Sequence, residues 1–386
     1  MWRHIAANAL TFLIVALFLL VGAIAWGTRE YSAEGPLTQA ICVDVPAGAA
    51  NTDALTGQLL DQGAITSAFI YETGARYSEK SGDIKFGKFL VPAGASMEAI
   101  VDIVTRGGRN TCGTEVIYRV GINRTIVDVR ELDPASNQFV ELVSFEAGEA
   151  ELPPAYSQVR ADGSATYRVV VAEGATSWQI ANALSQIDIL RSDVTDIPAE
   201  GSLAPRDYEI SEGDTVSSVL ARMSEIQARI LTEAWENRAD GLPLASPEEA
   251  LVLASIIEKE TSVPEERRQV SSVFVNRLNR GMRLQTDPSV IYGITRGEGI
   301  LGRGLRQSEL RGETPWNTYV IPGLPPTPIA NPGQAAIEAA LNPDTTEYVF
   351  FVADGTGGHA FATNLDDHNR NVARWREIEA QRESDG

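Results

Sequence analysis

The sequence has 386 residues, 44% hydrophobic and 22% charged, which predicts a folded protein of two or three domains. Its 32 Lys and Arg residues against 52 Asp and Glu residues give a net charge of −20. That balance excludes a nucleic-acid partner, because phosphate binding needs a basic surface, but stays compatible with an uncharged or zwitterionic polymer.

The first predicted element is a membrane-spanning helix. No charged residue occurs from Ile5 to Trp26, and this stretch matches the about 20 residues that a helix needs to cross a bilayer. Arg3 precedes it and favours a cytoplasmic N-terminus. The alternative is a signal peptide cleaved after Ala25, although such apolar regions usually end within about 15 residues. We therefore predict a cytoplasmic N-terminus and transmembrane helix at residues 1–27.

A short linker rich in Glu, Gly, Ser and Pro is predicted next, at residues 28–38. The chain contains two cysteines, Cys42 and Cys112, both in the predicted exported part. An oxidising compartment favours a disulfide between them. Two buried free thiols remain the alternative, because the sequence does not give the distance between the two residues.

A strand–turn–helix pattern then occurs four times. In each copy, a short apolar strand ends at a glycine turn, and an amphipathic helix follows, opened in three copies by Ser or Thr. The copies begin at Val43, Phe89, Val169 and Ile210. They predict two small α+β modules, at residues 39–112 and 166–225, with a β-rich segment at 113–165 between them. The modules are either a spacer scaffold or glycan-binding units, and the pattern favours neither.

Longer helices are predicted from residue 226. Ser246-Pro247-Glu248-Glu249 is typical of a helix start, with a capping Ser, Pro in the first turn and acidic residues at the positive end of the dipole. This helix is predicted to run through Thr261, and a second from about residue 265 to Arg280, before Gly281. The later predictions are Pro- and Gly-rich loops, a helix near Gln334–Leu341, a strand at Tyr348–Ala353 and a polar tail at 378–386.

Several enzyme classes lack support in the sequence. It contains no Gly-Lys-Ser/Thr phosphate loop, no Gly-x-Ser-x-Gly elbow and no zinc-binding spacing of Cys and His. His359, His368, Asp366 and Asp367 could be proposed as a metal site, but a surface cluster near the chain end is the favoured interpretation. The sequence therefore predicts no cofactor and no metal.

Glu260 is the candidate acid. On a helix, Leu253, Ile256, Ile257 and Glu260 lie on one face, so Glu260 continues an apolar stripe, whereas Glu258 lies away from its centre. Burial disfavours the charged carboxylate and raises its pKa, as a general acid requires. The alternative is a structural ion pair of Glu260 with Arg267 or Arg277.

The segment from residue 226 to 375 resembles the endolytic murein transglycosylase family (MltG, YceG-like). The N-terminal half is similar only through its membrane helix and its modules, which resemble the LysM-like part of that family. The resemblance implies an α+β protein with LysM-like modules, a β-rich insert and a mostly helical catalytic domain with loops and short strands. It is carried by Ser255-Ile256-Ile257-Glu258-Lys259-Glu260-Thr261, Val273–Leu278, Met282–Pro288, Asn317-Thr318-Tyr319, Gly323–Pro326, Ile329–Gly333, Phe351–Gly355, Gly358-His359 and Thr363-Asn364-Leu365.

The resemblance also implies a reaction. Glu260 would be the catalytic residue that cleaves the MurNAc–GlcNAc β-1,4 bond of peptidoglycan without water and leaves a 1,6-anhydroMurNAc end. Location in the cell inner membrane, a periplasmic catalytic domain and association with peptidoglycan-synthesis machinery are implied as well. The candidate substrate-binding residues are Thr261, Gln285, Asp287, Tyr319, Asn364 and His368.

Two other functions remain open. A hydrolytic muramidase would use Glu260 with Asp287 as a second carboxylate, since glycoside hydrolysis normally uses two. We instead interpret Asp287 as a loop residue that orients substrate or caps a helix beginning at Pro288. A catalytically silent glycan-binding scaffold, built on the LysM-like modules, is the third hypothesis.

Overall fold

The structure, a computed structural model, describes residues 2–45, 52–85, 87–106, 112–163 and 165–385. The chain divides into two compact units. The first contains residues 1–116, 129–143 and 153–166, and the second contains 117–128, 144–152 and 167–386.

Helix α1 spans Trp2–Ser32. Its part from Thr11 to Ser32 is long and apolar enough to cross a membrane, with a mean hydropathy of 2.2 and no residue buried in the protein. The helix ends at Ser32, so the first residues of the predicted linker at 28–38 are helical. Leu17, Phe18 and Leu19 are more than half exposed, and a contiguous exposed apolar surface is typical of a membrane or protein contact.

The first α+β module consists of β1 (Ile41–Val45), α2 (Thr52–Asp61), α3 (Ala68–Tyr77), β2 (Gly87–Val91) and α4 (Met97–Thr105). Strands β1 and β2 pair antiparallel, with Val43 opposite Phe89. Ser96 caps α4 by accepting from the Ala99 N–H. The strands and helices share one apolar core. Helix α3 was not predicted, and the first glycine turn, at residues 46–50, lies outside the described residues.

The predicted β-rich segment contains three strands: β3 (Thr114–Val120), β4 (Thr125–Asp133) and β5 (Gln138–Glu146). It also contains the helix α5 (Pro154–Asp162), where only strands and turns were predicted. Pro154 in its first turn and Gly163 with φ +63° at its end are the local signals of that helix.

The second module consists of β6 (Thr166–Val171), α6 (Ser177–Ser185), β7 (Asp207–Ile210) and α7 (Val216–Glu236). Strands β6 and β7 pair antiparallel, and the order in the sheet is β5-β4-β3-β6-β7. Thr176 forms a capping box with Gln179, and Thr215 caps α7. Since α7 is one continuous helix, the predicted boundary between residues 225 and 226 falls inside it.

The remaining chain is mostly helical. Its helices are α8 (Pro247–Glu260), α9 (Arg267–Asn279), α10 (Asp287–Thr295), α11 (Gln307–Leu310), α12 (Gln334–Leu341) and α13 (Leu365–Asp385). Strands β8 (Phe350–Ala353) and β9 (His359–Ala362) form an antiparallel hairpin. A 3₁₀ turn, Pro264–Glu266, precedes α9, so the predicted start of that helix near residue 265 is two residues early. The predicted polar tail is helical, as part of α13.

Helix α8 lies at the centre of this part. Leu253, Ile256 and Ile257 are fully buried and belong to one core with Phe274 of α9 and Ile337 of α12. Ser246 caps the start of α8, and Thr261, in extended conformation, ends it. The packed face of α8 therefore determines where the last residue of the helix, Glu260, projects.

Candidate active site

Glu260 is the last residue of α8 and is half-buried. Desolvation is the main cause that raises the pKa of its carboxyl, and the charge of Asp287 adds to the rise. Thr286, His359 and Arg277 act in the opposite direction and lower that pKa. One carboxyl group is thus held in an environment that favours the protonated acid, with cationic groups near enough to stabilise the anion.

The two arginines considered as ion-pair partners of Glu260 have other contacts. Arg267 pairs with Glu173 at 3.6 Å. Arg277 is buried and donates from Nε to the carbonyl oxygen of Val349, at 2.6 Å, and from Nη1 to that of Leu284. Among the described residues, neither arginine forms an ion pair with Glu260, so its carboxyl is not held in a structural salt bridge.

The start of α10 forms one side of the site. The Tyr319 hydroxyl donates to the Asp287 carboxylate at 2.7 Å, and burial is the main cause that raises the pKa of Tyr319. Helix α10 begins at Asp287 itself, and Asp287 does not cap it, contrary to one prediction. The Thr286 hydroxyl is buried and outside hydrogen-bond geometry with every described group, yet near enough to lower the pKa of Glu260.

The turn that follows Glu260 leads into a carboxylate–imidazole contact on another side of the site. Glu266 Oε2 accepts from His359 Nδ1 at 2.7 Å, and Glu266 Oε1 accepts from the His359 backbone N–H at 2.8 Å. The hydroxyl of Thr261 donates to the same carboxylate at 3.5 Å and accepts from the Val263 N–H. Thr261 is therefore a buried link between Glu260 and the β8–β9 hairpin, and its hydroxyl already has protein partners.

Two stacked rings, Phe350 and His368, lie beside the Arg277 guanidinium. The guanidinium of Arg277 is 5.5 Å from the centre of the Phe350 ring, and Phe350 stacks on the His368 imidazole at 4.9 Å. Desolvation, with the charge of Arg277 second, lowers the pKa of His368, so its neutral form is favoured. Its Nδ1 is buried and has no hydrogen-bond partner among the described residues. His368 therefore contacts Phe350, which contacts Arg277, and among these interactions it has no direct contact with Glu260.

Two other predicted residues have mainly structural contacts. Gln285 is exposed, in a left-handed conformation with φ +51°, and its N–H donates to the Thr318 carbonyl. Asn364 is exposed, and its side-chain oxygen accepts from the Asp367 N–H at the start of α13. Of the six candidate binding residues, three interact with Glu260 or adjoin it: Thr261 follows it in the chain, and Asp287 and Tyr319 interact with it electrostatically.

Glu258 and Lys259 have different contacts from Glu260. Glu258 Oε2 accepts from the Gly333 N–H at the start of α12, at 2.9 Å, and desolvation raises the pKa of Glu258. Lys259 Nζ donates to the Gly174 carbonyl at 3.2 Å. Both side chains thus join α8 to neighbouring segments, and Glu258 is more buried than the helical stripe predicts.

Sequence reasoning did not select Arg277, Glu266, His359 or Thr286 as parts of one site. Arg277 is predicted only as a possible ion-pair partner of Glu260. His359 enters as a possible metal ligand and as part of the Gly358-His359 motif that carries the resemblance, without a role in catalysis. A sequence pattern that could have revealed Arg277 is its place next to the apolar run Val273–Val275 of α9. No local pattern marks Glu266. The described residues contain no group of three or more His, Cys, Asp or Glu side chains that could hold a metal ion. Helices α7, α9 and α12 line a groove of about 600 Å³. Its lining does not include Glu260, Arg277, Glu266, His359 or Thr286, so it is separate from this site.

Residues 144–374 match the profile of the YceG-like family. An endolytic murein transglycosylase of Bacillus subtilis (strain 168) is 35% identical over 173 residues, which cover 45% of this chain and 47% of that protein. One from Streptococcus pneumoniae (strain D39) is 26% identical over 389 residues, 96% of this chain and 65% of that protein. The chain thus spans less than two thirds of either relative. A putative yceG-like protein from Listeria monocytogenes aligns with a TM-score of 0.44 and 24% identity, covering 86% of this chain and 99% of that chain.

Proposed function

The chain belongs to the YceG-like family, and from this premise we propose that it is a peptidoglycan lytic transglycosylase that cleaves glycan strands internally, with Glu260 as its general acid and base. Both relatives described above are named endolytic murein transglycosylases. This chain covers less than two thirds of the length of either relative, so the activity of the whole protein is also a proposal.

The single observation that carries the proposal is the environment of Glu260. A general acid that must also act as a base works best when its pKa lies near the working pH, well above the ordinary value of a glutamate. Desolvation at the end of α8 moves the pKa of Glu260 in that direction. The Arg277 guanidinium and the His359 side chain limit the rise of the Glu260 pKa, so the anion that forms after proton donation is also supported.

One carboxyl group suffices for a transglycosylase. Protonated Glu260 donates its proton to the glycosidic oxygen, and the bond from that oxygen to C1 of MurNAc breaks. The Glu260 carboxylate then takes the proton of the 6-hydroxyl of the same sugar, whose oxygen attacks C1. The products are a new GlcNAc end and a 1,6-anhydroMurNAc end, water is not consumed, and Glu260 is protonated again.

We place the reaction outside the cytoplasm. Helix α1 supports a single-pass inner-membrane anchor with a cytoplasmic N-terminus and a periplasmic catalytic domain. The LysM-like modules would present glycan strands to the site, and the anchor would keep the enzyme near nascent strands and their synthesis machinery. A mature protein whose N-terminal sequence begins near Trp26 would contradict the anchor.

A hydrolytic muramidase is the second candidate, because the charge of Asp287 reaches Glu260. In a hydrolase, the second carboxylate either attacks C1 or activates water. The Asp287 carboxylate here accepts the Tyr319 hydroxyl, a bond that lowers its nucleophilicity and suits orientation of substrate. We therefore assign Asp287 to substrate positioning.

The test is a digest of purified peptidoglycan with the full chain, followed by mass spectrometry of the glycan ends. Anhydro ends are lighter than reducing ends by one water, so the expected product differs from that of a muramidase. Glu260→Gln should abolish product and retain glycan binding; Glu265→Gln, at an exposed carboxylate of the adjacent turn, is the matched control. Reducing ends would identify a muramidase, and absence of any product from the wild-type protein would favour a scaffold.

A further inference from the structure

The Glu266 carboxylate joins two segments that are far apart in the sequence. Its two oxygens accept from the backbone N–H and from Nδ1 of His359, 93 residues later, at 2.8 and 2.7 Å. The side chains of Glu266 and His359 are only 16% and 15% exposed, so the contact is largely shielded from water. Charge-assisted bonds of this kind are stronger than neutral ones, and two of them fix an imidazole in orientation as well as distance.

The same carboxylate contacts the end of the catalytic helix. Thr261, which follows Glu260 directly, donates its hydroxyl to Glu266 Oε2 at 3.5 Å. On the other side, a Cβ at Gly358 would lie 2.5 Å from Glu266 Oε1, so the hairpin approaches at a residue without a side chain. Glu266 is therefore enclosed between the end of α8 and the first residue of β9.

The imidazole of His359 is held by apolar rings as well. The Phe351 ring meets it edge-on at 5.2 Å, and Phe351 in turn meets Phe274 of α9 edge-on at 5.8 Å. Backbone pairing places His359 opposite Ala353. Nδ1 of the ring faces Glu266, so a carboxylate and a packed aromatic ring together fix the orientation of the imidazole.

We propose that Glu266 and His359 act as one positioning pair for the transglycosylase reaction. Glu266 binds both the His359 imidazole and Thr261, the residue after Glu260, and so fixes the end of α8 against the β8–β9 hairpin, with Glu260 in place for its two proton transfers. The inference rests on the proposed function. His359 does not need to touch the sugar, so it is a positioning residue and Glu260 keeps the catalytic role.

The other charges around this pair are few and come from separate elements. Arg277 of α9 and Asp287 of α10 act on the Glu260 carboxyl with opposite signs. Asp354, at the end of β8, faces His359, whose charge contributes to lowering the pKa of that aspartate after its bonds from Thr356. Arg277 is bonded to two carbonyl oxygens, whereas the side chain of His359 is bonded to the Glu266 carboxylate.

The experiment measures kcat and KM on purified glycan strands for Glu266→Gln, His359→Gln and the double variant, with Glu265→Gln as the control. Each single variant should lower kcat by about 10- to 100-fold, as expected from misplacement of a group near the reaction, with KM within about twofold. The double variant should be no more than about twofold slower than the slower single variant, because two residues that act as a unit are not additive. Glu266→Asp keeps the charge and should recover part of the lost kcat.

Thermal unfolding of each variant separates this role from a structural one. Wild-type kcat in His359→Gln, with only a lower melting temperature, would overturn the pair, as would multiplicative losses in the double variant or a loss confined to KM. If Glu266→Gln does not fold, His359→Gln and Glu266→Asp decide the same point. Wild-type protein that releases no anhydro ends would overturn the proposed function and this pair with it, whereas anhydro ends from a His359→Gln variant of unchanged kcat would overturn the pair alone.

Discussion

Glu258 and Glu260 stand two residues apart on α8, and their contacts give them different environments. Glu258 binds the backbone N–H of Gly333, whereas Glu260 has no ion-pair partner among the described residues. Desolvation raises the pKa of both carboxyls. The raised pKa alone therefore does not identify the acid; the difference lies in which carboxylate is already bonded to the protein.

The first prediction compares their neutral variants. Glu260→Gln keeps the volume and removes the transferable proton, so glycan cleavage should fall by at least about 10²-fold, the lower range for general acid–base catalysis. Glu258→Gln can still accept from Gly333 through its amide oxygen and should stay within a few-fold of wild type. Rates of release of soluble glycan fragments provide the measurement. The assignment fails if Glu258→Gln abolishes cleavage and Glu260→Gln does not.

The second prediction concerns pH. The folded-state pKa of Glu260 is raised by desolvation, so activity should fall on the alkaline side as pH rises through that value. The negative charge of Asp287 adds to the rise, so Asp287→Asn should move the alkaline limb of kcat to lower pH. A pH–rate profile of the two proteins checks this, and a limb that moves to higher pH would contradict it.

The same raised pKa has a consequence for stability. A carboxyl whose folded pKa exceeds its unfolded value stabilises the fold below the unfolded pKa, and that contribution is lost as pH rises through the folded pKa. Glu260→Gln removes this dependence, so above the folded pKa of Glu260 the variant should be at least as stable as wild type. A neutral variant that is at least as stable as wild type is expected when the ionised carboxylate of a catalytic residue destabilises the fold.

At the scale of elements, one buried amide connects the second module to the helical part within the same unit. Asn331 is fully buried; its side-chain oxygen accepts from the Leu203 N–H at 2.9 Å, and its amide donates to the Ala175 carbonyl at 3.0 Å. Lys259 of α8 donates from Nζ to the Gly174 carbonyl, and the Thr176 hydroxyl donates to the Gly297 carbonyl. The glycine turn of this module therefore supports the end of α8.

The third prediction follows from those bonds. Asn331→Ala leaves the buried Leu203 N–H without its acceptor, at about 1–3 kcal/mol, whereas the Ala175 carbonyl still accepts from the Asn331 backbone N–H. The free energy of unfolding should therefore drop by about 1–3 kcal/mol. Asn279→Ala, at an exposed position of α9, should change it by less than about 0.5 kcal/mol. Urea denaturation of both variants measures the difference, and equal stabilities would contradict the role of Asn331.

At the scale of the whole molecule, the cysteine pair and the apolar helix are the two features that bear on the proposed location. The structure joins Cys42 and Cys112 in a disulfide with Cα atoms 5.7 Å apart, 70 residues apart in the chain. Helix α1 is the helix among the described residues that is long and apolar enough to cross a membrane. Both features belong to the first unit, whereas Glu260 and its surroundings belong to the second.

The fourth prediction is the effect of this disulfide. Closing a loop of 70 residues stabilises the folded state by about 4 kcal/mol in the chain-entropy account. Reduction, or Cys42→Ala with Cys112→Ala, should therefore lower the melting temperature of the first unit and leave cleavage by the second largely unchanged. Two thiols that react with a maleimide in denatured, unreduced protein would show that the bridge does not form.

The local elements with strong signals could be predicted from the amino-acid sequence. The apolar run of α1, the capping residues Ser96, Thr176 and Ser246, and the buried stripe of α8 depend on neighbours within a few residues, so periodicity and capping rules reveal them. The position of Glu260 on the packed side of α8 follows from the same periodicity. Helices α3 and α5 are not predicted, although each has a local signal: Ser67 caps α3, and Pro154 and Gly163 mark the two ends of α5.

The contacts between distant residues, in contrast, are visible only in the folded chain. The pair of Glu266 and His359 joins residues 93 positions apart, and Asn331 reaches Ala175 across 156. Such contacts depend on how the helices pack rather than on any short-range pattern, and no spacing in the sequence encodes them. For the same reason, the pattern placed Glu258 away from the buried stripe, whereas the packing of α12 against α8 half-buries it and bonds it to Gly333. Helical periodicity gives the direction of a side chain from its own helix, and the neighbouring elements decide what that side chain contacts.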